Sequence, residues 1–268
     1  MTGVQTCALP ICTAAIFFNE DIGATQSIGT FTIHEADAGV IFGQADSETI
    51  GSGSTGPVNV ISTDGAINIG AADNVIGGVG IVLNGGSSAL TVQTTGDQIR
   101  FNGAVTLQSD VIFDTDSSDT NSEGGEILFT NSATLDSQST EHNAVSFDAG
   151  TSSITFNANI GAASGTSSLG TFTVQEADAG VIFGGADSST GAGGSGPVTI
   201  FNANAINLGS TNTITGGIVL NGGDNGAGKV GTVAITTTGD DVRFNGATKL
   251  QTAASIDTAK DRKSTRLN

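Results

Sequence analysis

The chain has 268 residues and a formal net charge of −18, with 26 acidic and 8 basic side chains, which argues against nucleic acid and anionic membranes as partners. Its 40 glycines and abundant Ser, Thr, Asn and Asp exclude a standard helical domain, while its Val, Ile, Thr and Phe favour strands. No stretch is apolar for long enough to insert into a membrane as a helix.

The two ends of the chain differ from the rest. Met1–Cys12 holds both cysteines and the one methionine. Back-translation of this segment gives a short-read sequencing adapter, and Asp261–Asn268 back-translates to the reverse complement of part of the same DNA. We therefore expect residues 1–12 and 261–268 to be adapter-derived tails that are not biological, and residues 13–260 to form a single domain.

Between the ends, short runs alternate apolar and polar residues and are separated by Gly, Asn, Asp or Ser. In chain order they are FTI (31–33), VIF (40–42), VNV (58–60), INI (67–69), IVL (81–83), LTV (90–92), IRF (99–101), VTL (105–107), VIF (111–113), ILF (127–129), VSF (145–147) and ITF (154–156). This period of two is typical of short, half-buried strands. It predicts that Val105 and Leu107, and then Val111 and Phe113, point into the core.

The short runs are part of a longer internal repeat. GTFTIHEADAGVIFG at Gly29–Gly43 recurs as GTFTVQEADAGVIFG at Gly170–Gly184, and GIVLNGG from Gly80 recurs from Gly217. The offset is about 141 residues and drifts in the loops between strand segments. Copy one spans about 15–152 and copy two about 153–260, which is incomplete.

Short strands with few residues between them, kept in phase across the repeat, favour a solenoid over a sandwich or barrel. If each turn has about three strands and roughly 20–25 residues, residues 13–260 should form about eleven coils. One coil cannot bury its apolar side chains or pair its strand edges without neighbouring coils. We therefore expect flanking coils of the same polypeptide to be partners and the ends of a fragment to associate.

Several segments resemble a known group of proteins: AVSFDAGTSSITFNANIGAASGTSSLGTFTV, DDVRFNGATKLQ and DVIFDTDSSDTNSEGGEILFT. They resemble the repetitive regions of very large bacterial exoproteins of the filamentous-haemagglutinin-like and autotransporter-like type. The resemblance implies an all-β fold, a right-handed parallel β-helix, and an extracellular or outer-membrane-associated cell-surface location. It also implies a stalk or adhesin role, with a host or environmental surface, including carbohydrate, as the partner.

The chain offers little for nucleophilic or metal chemistry. The two histidines are His34, which is Gln175 in the second copy, and His142, which lies in the polar turn STEHN. We therefore predict no Ser-His-Asp site. A zinc site needs clustered His or Cys ligands, which residues 13–260 do not provide.

The charged residues of the repeat are duplicated. Glu35 and Asp37 recur as Glu176 and Asp178, which indicates a turn that ends a strand rather than an acid–base pair. Arg100 also recurs, as Arg243, and we expect a structural role for both copies, in pairing either with Asp97 and Asp240 or with an adjacent coil.

The acidic loop DTDSSDTNSEGGE supplies the calcium candidates Asp114, Asp116 and Asp119. Hard cations prefer such oxygen clusters, although the spacing is not that of an EF-hand. A solvated acidic loop is the alternative, and we predict no catalytic or cofactor-binding residues.

The prediction is a non-enzymatic structural stalk or adhesin segment of a very large secreted or surface-displayed bacterial protein. Two other classes stay open. A carbohydrate-active β-helix enzyme should have one non-repeated cleft with acidic and basic groups. An ice- or surface-binding solenoid should have a flat, regular lattice of Thr on one face.

Overall fold

The computed structural model describes residues 14–43, 56–70, 74–117, 124–161, 166–185, 196–223 and 231–258. Both expected tails lie outside these ranges. Within them the regular structure consists of strands without helices. The strands are β1 Ile16–Phe18, β2 Phe31–Ile33, β3 Val40–Phe42, β4 Val60–Thr63, β5 Ile67–Ile69, β6 Ile81–Leu83, β7 Leu90–Thr94, β8 Ile99–Phe101, β9 Val105–Leu107, β10 Val111–Asp114, β11 Ile127–Phe129, β12 Leu135–Ser137, β13 Val145–Asp148, β14 Ser153–Phe156, β15 Leu169–Glu176, β16 Gly180–Phe183, β17 Ile200–Leu208, β18 Ile214–Leu220, β19 Thr232–Thr236, β20 Val242–Phe244, β21 Gly246–Leu250 and β22 Ala253–Asp257.

Every pair of neighbouring strands is parallel, and the strands form three stacks. The first sheet holds β1, β3, β6, β9 and β12, continues through a bridge at Ile160, and ends with the start of β17, β19 and β22. The second sheet holds β4, β7, β10, β13, β15, the end of β17, and β20. The third holds β2, β5, β8, β11, β14, β16, β18 and β21. Because the chain visits the sheets in rotation, three successive segments make one turn of a parallel solenoid.

The turns are fewer and longer than the sequence predicts. Each turn adds one strand to the third sheet, which has eight strands, so the described residues complete eight turns rather than about eleven. Register partners in adjacent turns lie 21 residues apart at Leu90 and Val111 but 41 apart at Val40 and Ile81. The loops between strands lengthen the turns beyond the expected 20–25 residues.

The inward side of every sheet forms one continuous apolar core. Val105, Leu107, Val111 and Phe113 are all buried in it, as their alternation predicts. Adjacent turns place like residues over one another, for example Val111 over Val145 and Phe113 over Phe147. A single turn could not shelter these side chains, and the stack buries them collectively.

Phenylalanines form two stacks that interlock in the middle of the core. In the third sheet, Phe101, Phe129 and Phe156 stack with ring centroids 5.1 Å apart at each step. In the second sheet, Phe113 stacks on Phe147 at 5.2 Å, and Phe147 meets the edge of Phe156 at 5.4 Å. Stacked and edge-to-face pairs are both favoured aromatic geometries.

The two repeat copies use the same strand registers. The pair Val40 and Ile81 of copy one recurs as Val181 and Ile218, and the pair Phe31 and Ile67 recurs as Phe172 and Ile206. Corresponding strands therefore have the same neighbours in both copies.

Corresponding strands nevertheless lie in different sheets. The third-sheet strands of copy one, β2, β5 and β8, correspond to second-sheet strands of copy two, namely β15, the end of β17, and β20. The first-sheet strands β3, β6 and β9 correspond to the third-sheet strands β16, β18 and β21. The second-sheet strands β4, β7 and β10 correspond to first-sheet strands, namely the start of β17, β19 and β22. One repeat contains fourteen strand segments, Ile160 included, and fourteen is not a multiple of three. The second copy is therefore rotated by one face relative to the first.

Candidate functional site

A surface cleft of the described residues lies at the corner between the first and second sheets. Three successive turns line it: Gly86–Ala89 before β7, Gln108–Asp110 before β10, and Glu141 with Asn143 before β13. It encloses about 370 Å³ and is mostly polar. The sequence did not point to this cleft, because its residues are scattered over more than fifty positions. Their common place at one corner becomes visible only once the turns are counted.

The two carboxylates of the cleft both accept hydrogen bonds, Asp110 from the backbone and Glu141 from a side chain. Asp110 accepts a hydrogen bond on Oδ1 from the backbone N–H of Ala144 at 2.7 Å, and Glu141 accepts one from Asn143 Nδ2 at 3.0 Å. Ser109 is buried, and its Oγ accepts the backbone N–H of Gly85 at 2.7 Å. No Lys or Arg is among the residues that line the cleft, so it lacks the basic group that a polysaccharide lyase site needs.

The turn that carries Glu141 has an unusual backbone. Thr140 and His142 have φ values of 72° and 55°, in the left-handed region that non-glycine residues rarely adopt. His142 Nδ1 lies 3.0 Å from Ser168 Oγ and 3.1 Å from the Ser168 carbonyl oxygen. Since Ser168 is buried and the same ring nitrogen reaches a carbonyl, this pair ties the turn to the next coil and does not present an activated nucleophile.

The duplicated carboxylates make a duplicated contact. Asn74 Nδ2 donates to Glu35 at 3.4 Å in copy one, and Asn212 Nδ2 donates to Glu176 at 2.7 Å in copy two. In both cases the amide comes from the next turn of the solenoid. The repeated Glu therefore links two turns, as a structural residue would, and His34 beside Glu35 is exposed.

The duplicated arginines contact an adjacent coil. Arg100 Nη1 donates to the Gly70 carbonyl at 2.8 Å, and Arg243 Nη1 lies 3.4 Å from Asn207 Oδ1. Arg100 is 7% exposed, its Nη2 has no hydrogen-bond partner, and burial lowers the pKa of its guanidinium. Arg243 is exposed, because no described turn covers β20. The difference between the two copies reflects their place in the stack.

The calcium candidates are only partly within the described residues. Asp114 ends β10, and its Oδ1 accepts the backbone N–H of Asp116 at 2.8 Å, which forms a tight turn. Asp119 lies outside the described ranges, so the calcium site stays a prediction. Among the residues that the structure does describe, no three His, Cys, Asp or Glu side chains are grouped so that they could hold a metal ion.

The outward rows of the sheets have mixed chemistry. Reading across the third sheet, the central outward positions are Thr32, Asn68, Arg100, Leu128, Thr155, Ile182, Val219 and Lys249. This row does not form the regular Thr lattice that we expect of an ice-binding face. The rotation of the repeat also moves each outward motif to another face in the next copy.

Comparisons with known proteins give no match: no family model, no curated protein and no solved structure matches the chain. The resemblance to large exoproteins therefore depends on the repeated sequence segments alone. Within the described part of the chain, there is no helix with the length and hydropathy required to cross a membrane.

Proposed function

We propose that this chain is a structural stalk segment of a very large secreted or surface-displayed bacterial exoprotein, and that it is not an enzyme. The observation that carries the proposal is the identical strand register of the two repeat copies. A repeat that rebuilds the same stack of turns extends a rod, and its length can grow by adding copies.

The proposed solenoid is right-handed and lies outside the cell. Connections between parallel strands of one sheet are right-handed in about 98% of cases, which supports this hand. The extracellular or outer-membrane-associated location comes from the sequence resemblance. An excess of acidic side chains keeps such a rod soluble and is compatible with an exposed stalk.

Adhesive contacts with a host or environmental surface would use the polar outer faces, and carbohydrate is the proposed ligand class. Because the repeat turns by one face per copy, a longer array presents each outward motif on all three faces in succession. This arrangement fits contacts distributed around a rod better than a single flat binding plane.

Incubating the whole chain with a panel of neutral and acidic polysaccharides tests this proposal against the enzyme alternative. A stalk or adhesin releases no oligosaccharide product, whether or not it is retained on a given polymer. Product release that is lost in Asp110→Asn or Glu141→Gln, but kept in the control Asp178→Asn, which is partly exposed and lies outside the cleft, would assign an enzyme to the corner cleft instead. Both cleft variants keep a hydrogen-bonding side chain, so their folding should be preserved.

A further inference from the structure

Two Asn-Gly pairs occupy the same corner in the two repeat copies. Asn84-Gly85 follows β6 and Asn221-Gly222 follows β18, and both asparagines are 8% exposed. In an unfolded chain this dipeptide is chemically unstable, because Gly has no side chain to hinder attack by its own backbone nitrogen on the carboxamide of the asparagine. The solenoid therefore buries a reactive sequence at a repeated position.

The packing of the first of these corners requires both residues of the pair. A Cβ on Gly85 would collide with the Ser88 carbonyl oxygen. Asn84 Oδ1 accepts the backbone N–H of Gly86 at 2.7 Å, while Asn84 Nδ2 donates to Gln108 Oε1 at 3.3 Å. Since a short side chain with both an acceptor and a donor is needed beside a residue without a Cβ, Asn-Gly is the pair that fits.

The next turn of the solenoid covers the reactive nitrogen. The backbone N–H of Gly85 donates to Ser109 Oγ at 2.7 Å, and Ser109 lies between β9 and β10 and is 5% exposed. The carboxamide of Asn84 is held at the same time by its bonds to Gly86 and Gln108. Both the attacking nitrogen and the carbon that it would attack are therefore fixed, in a place that solvent barely reaches.

The second copy repeats this arrangement with a different residue. The backbone N–H of Gly222 donates to Thr252 Oγ1 at 2.6 Å, and Asn221 Oδ1 accepts the backbone N–H of Gly223 at 2.9 Å. Thr252 corresponds to Ser109, so the hydroxyl is present in both copies although the residue differs. The two corners thus share an acceptor oxygen on the backbone N–H of the glycine.

We propose that Asn84 and Asn221 are latent sites of deamidation, and that the hydroxyl of the next turn, on Ser109 or Thr252, keeps each site unreactive while the turns are stacked. The inference goes beyond the stalk role. It can fail while that role stands, because it concerns the chemical durability of the corners alone.

The reaction needs only water and a base. Once the Gly85 amide loses its proton to hydroxide, its nitrogen attacks Cγ of Asn84, the Cγ–Nδ2 bond breaks, and Nδ2 takes up a proton from water and leaves as ammonia. Water then opens the cyclic imide at one of its two carbonyls. Opening at Cγ gives aspartate, and opening at the main-chain carbonyl gives isoaspartate, in which the chain runs through the side chain.

Removal of the amide proton is the step that the fold prevents. The same step occurs in base-catalysed hydrogen exchange, which is slow for a buried, hydrogen-bonded amide and fast when its segment opens. Deamidation at Asn84 therefore requires the corner to separate from the turn that carries Ser109. An opening that is otherwise reversible then leaves a permanent chemical change.

Either product of the reaction damages the corner. Aspartate in place of Asn84 puts a buried carboxylate where an amide donates to Gln108. Isoaspartate lengthens the main chain at the point where Gly85 already lies close to Ser88. A deamidated turn therefore cannot close again in its original form.

Peptide mapping by mass spectrometry, after incubation of the whole chain in mildly alkaline buffer, measures deamidation at each asparagine. The wild-type chain is incubated both folded and in urea. Ser109→Ala and Thr252→Ala remove the two hydroxyls, and Ser109→Thr keeps the hydroxyl that copy two uses. Ser146→Ala is the matched control, because it removes a hydroxyl that accepts a hydrogen bond from Gln175 Nε2 at 2.8 Å, at an outward position on β13.

The Asn102-Gly103 pair is an internal reference in every sample. Asn102 is held by other contacts, since its Oδ1 accepts a hydrogen bond from Thr130 Oγ1 at 2.7 Å and its Nδ2 donates to the Asn74 carbonyl at 3.0 Å. Far-UV circular dichroism checks that each variant stays folded.

We expect deamidation at Asn84 to be slower by about ten-fold or more in the folded wild-type chain than in urea. Ser109→Ala should remove most of this protection at Asn84 and leave Asn102 and Asn221 unchanged, whereas Thr252→Ala should affect Asn221 alone. Ser109→Thr and the control variant should behave like the wild-type chain at all three sites.

Equal rates at Asn84 in the folded chain and in urea overturn the proposal. So does a folded Ser109→Ala or Thr252→Ala variant that keeps the wild-type rate at its own asparagine, since the hydroxyl then gives no protection. A folded Ser109→Ala variant in which all three sites react faster together also overturns it, because a general loosening of the solenoid would then account for the change.

Discussion

At the residue scale, some corners of the turns depend on positions that only glycine can occupy. Gly43 and Gly184 occupy the same place in the two copies, and both have a φ of 78°. A Cβ on either would collide with a backbone carbonyl of the next turn, that of Asn84 or of Asn221. Glycine is needed there for its conformation and for the close approach of two turns.

We predict that Gly184→Ala lowers the free energy of unfolding by about 2 kcal/mol or more, because the left-handed conformation alone costs about 1–2 kcal/mol with a Cβ and the collision adds to it. Gly29→Ala is the control, since a Cβ at Gly29 has no atom within 4 Å. It should change stability by about 0.5 kcal/mol or less. Urea denaturation of both variants measures the difference, and equal effects would contradict the packing of turn on turn at Gly184.

A second corner residue caps the next turn with its side chain. Asn159 Oδ1 accepts the backbone N–H groups of Thr199 at 2.8 Å and Ile200 at 3.1 Å. In copy one, Asp21 Oδ1 does the same for Asn59 at 2.7 Å and Val60 at 3.1 Å. The contact requires an acceptor oxygen and tolerates either an amide or a carboxylate.

We therefore predict that Asn159→Ala destabilises the chain by about 1–3 kcal/mol, because two backbone donors lose their acceptor. Asn159→Asp should retain most of the stability at neutral pH, since copy one already uses Asp at this place. Thermal unfolding followed by circular dichroism compares the two variants. If both lose the same stability, the acceptor oxygen is not what matters there.

At the element scale, the strand core could be predicted from the sequence because it depends on alternation alone. Val111, Phe113 and Phe147 all lie inward, as the period of two requires. The number of turns could not be predicted in the same way. β12, which reads Leu-Asp-Ser, and the single bridging residue Ile160 each carry a segment of the stack without an apolar–polar–apolar run.

Those two hidden segments also concealed the rotation of the repeat. The twelve visible runs between residues 31 and 156, which make up one repeat length, divide evenly by three and would return each copy to the same face. Adding β12 and Ile160 makes fourteen segments and shifts the second copy by one face. The corner cleft was missed for a related reason, since Asp110 and Glu141 meet only through the stacking of turns that the sequence does not count.

The phenylalanine stacks are the element-scale feature that we expect to dominate stability. Phe147 is fully buried and contacts the rings of Phe113, Phe129, Phe156 and Phe172. We predict that Phe147→Ala lowers the free energy of unfolding by about 3–5 kcal/mol, because it leaves a cavity that four rings cannot fill. Phe17→Ala, on an outward and 38% exposed position, should cost about 1 kcal/mol or less. Chemical denaturation compares the two variants. If Phe147→Ala lowers the free energy of unfolding by only about as much as Phe17→Ala, the rings do not stack in solution.

At the scale of the whole molecule, the repeat and the solenoid have different periods. Fourteen segments wound on three faces return to their starting face only after three copies. A rod built in this way has no privileged side, which suits a spacer or a stalk with contacts all round. It suits a flat binding plane less well, because each repeated motif occupies a given face once in every three copies.

The most direct test of this winding is a pair of engineered disulfides in a Cys7→Ser, Cys12→Ser background. Ser146 in β13 and Thr173 in β15 are register partners on the second sheet, and adjacent strands lie within disulfide reach. Thr155 in β14 would be the neighbour of Thr173 instead if copy two returned to the third sheet. Thr155 and Ile182 are register partners and serve as the positive control.

Stacked parallel turns with a one-face rotation predict that Ser146→Cys with Thr173→Cys oxidises to a disulfide, as does Thr155→Cys with Ile182→Cys, while Thr155→Cys with Thr173→Cys stays reduced. Mass spectrometry after mild oxidation reads all three. A disulfide between positions 155 and 173, with none between 146 and 173, would contradict the rotated repeat and the stack of turns built on it.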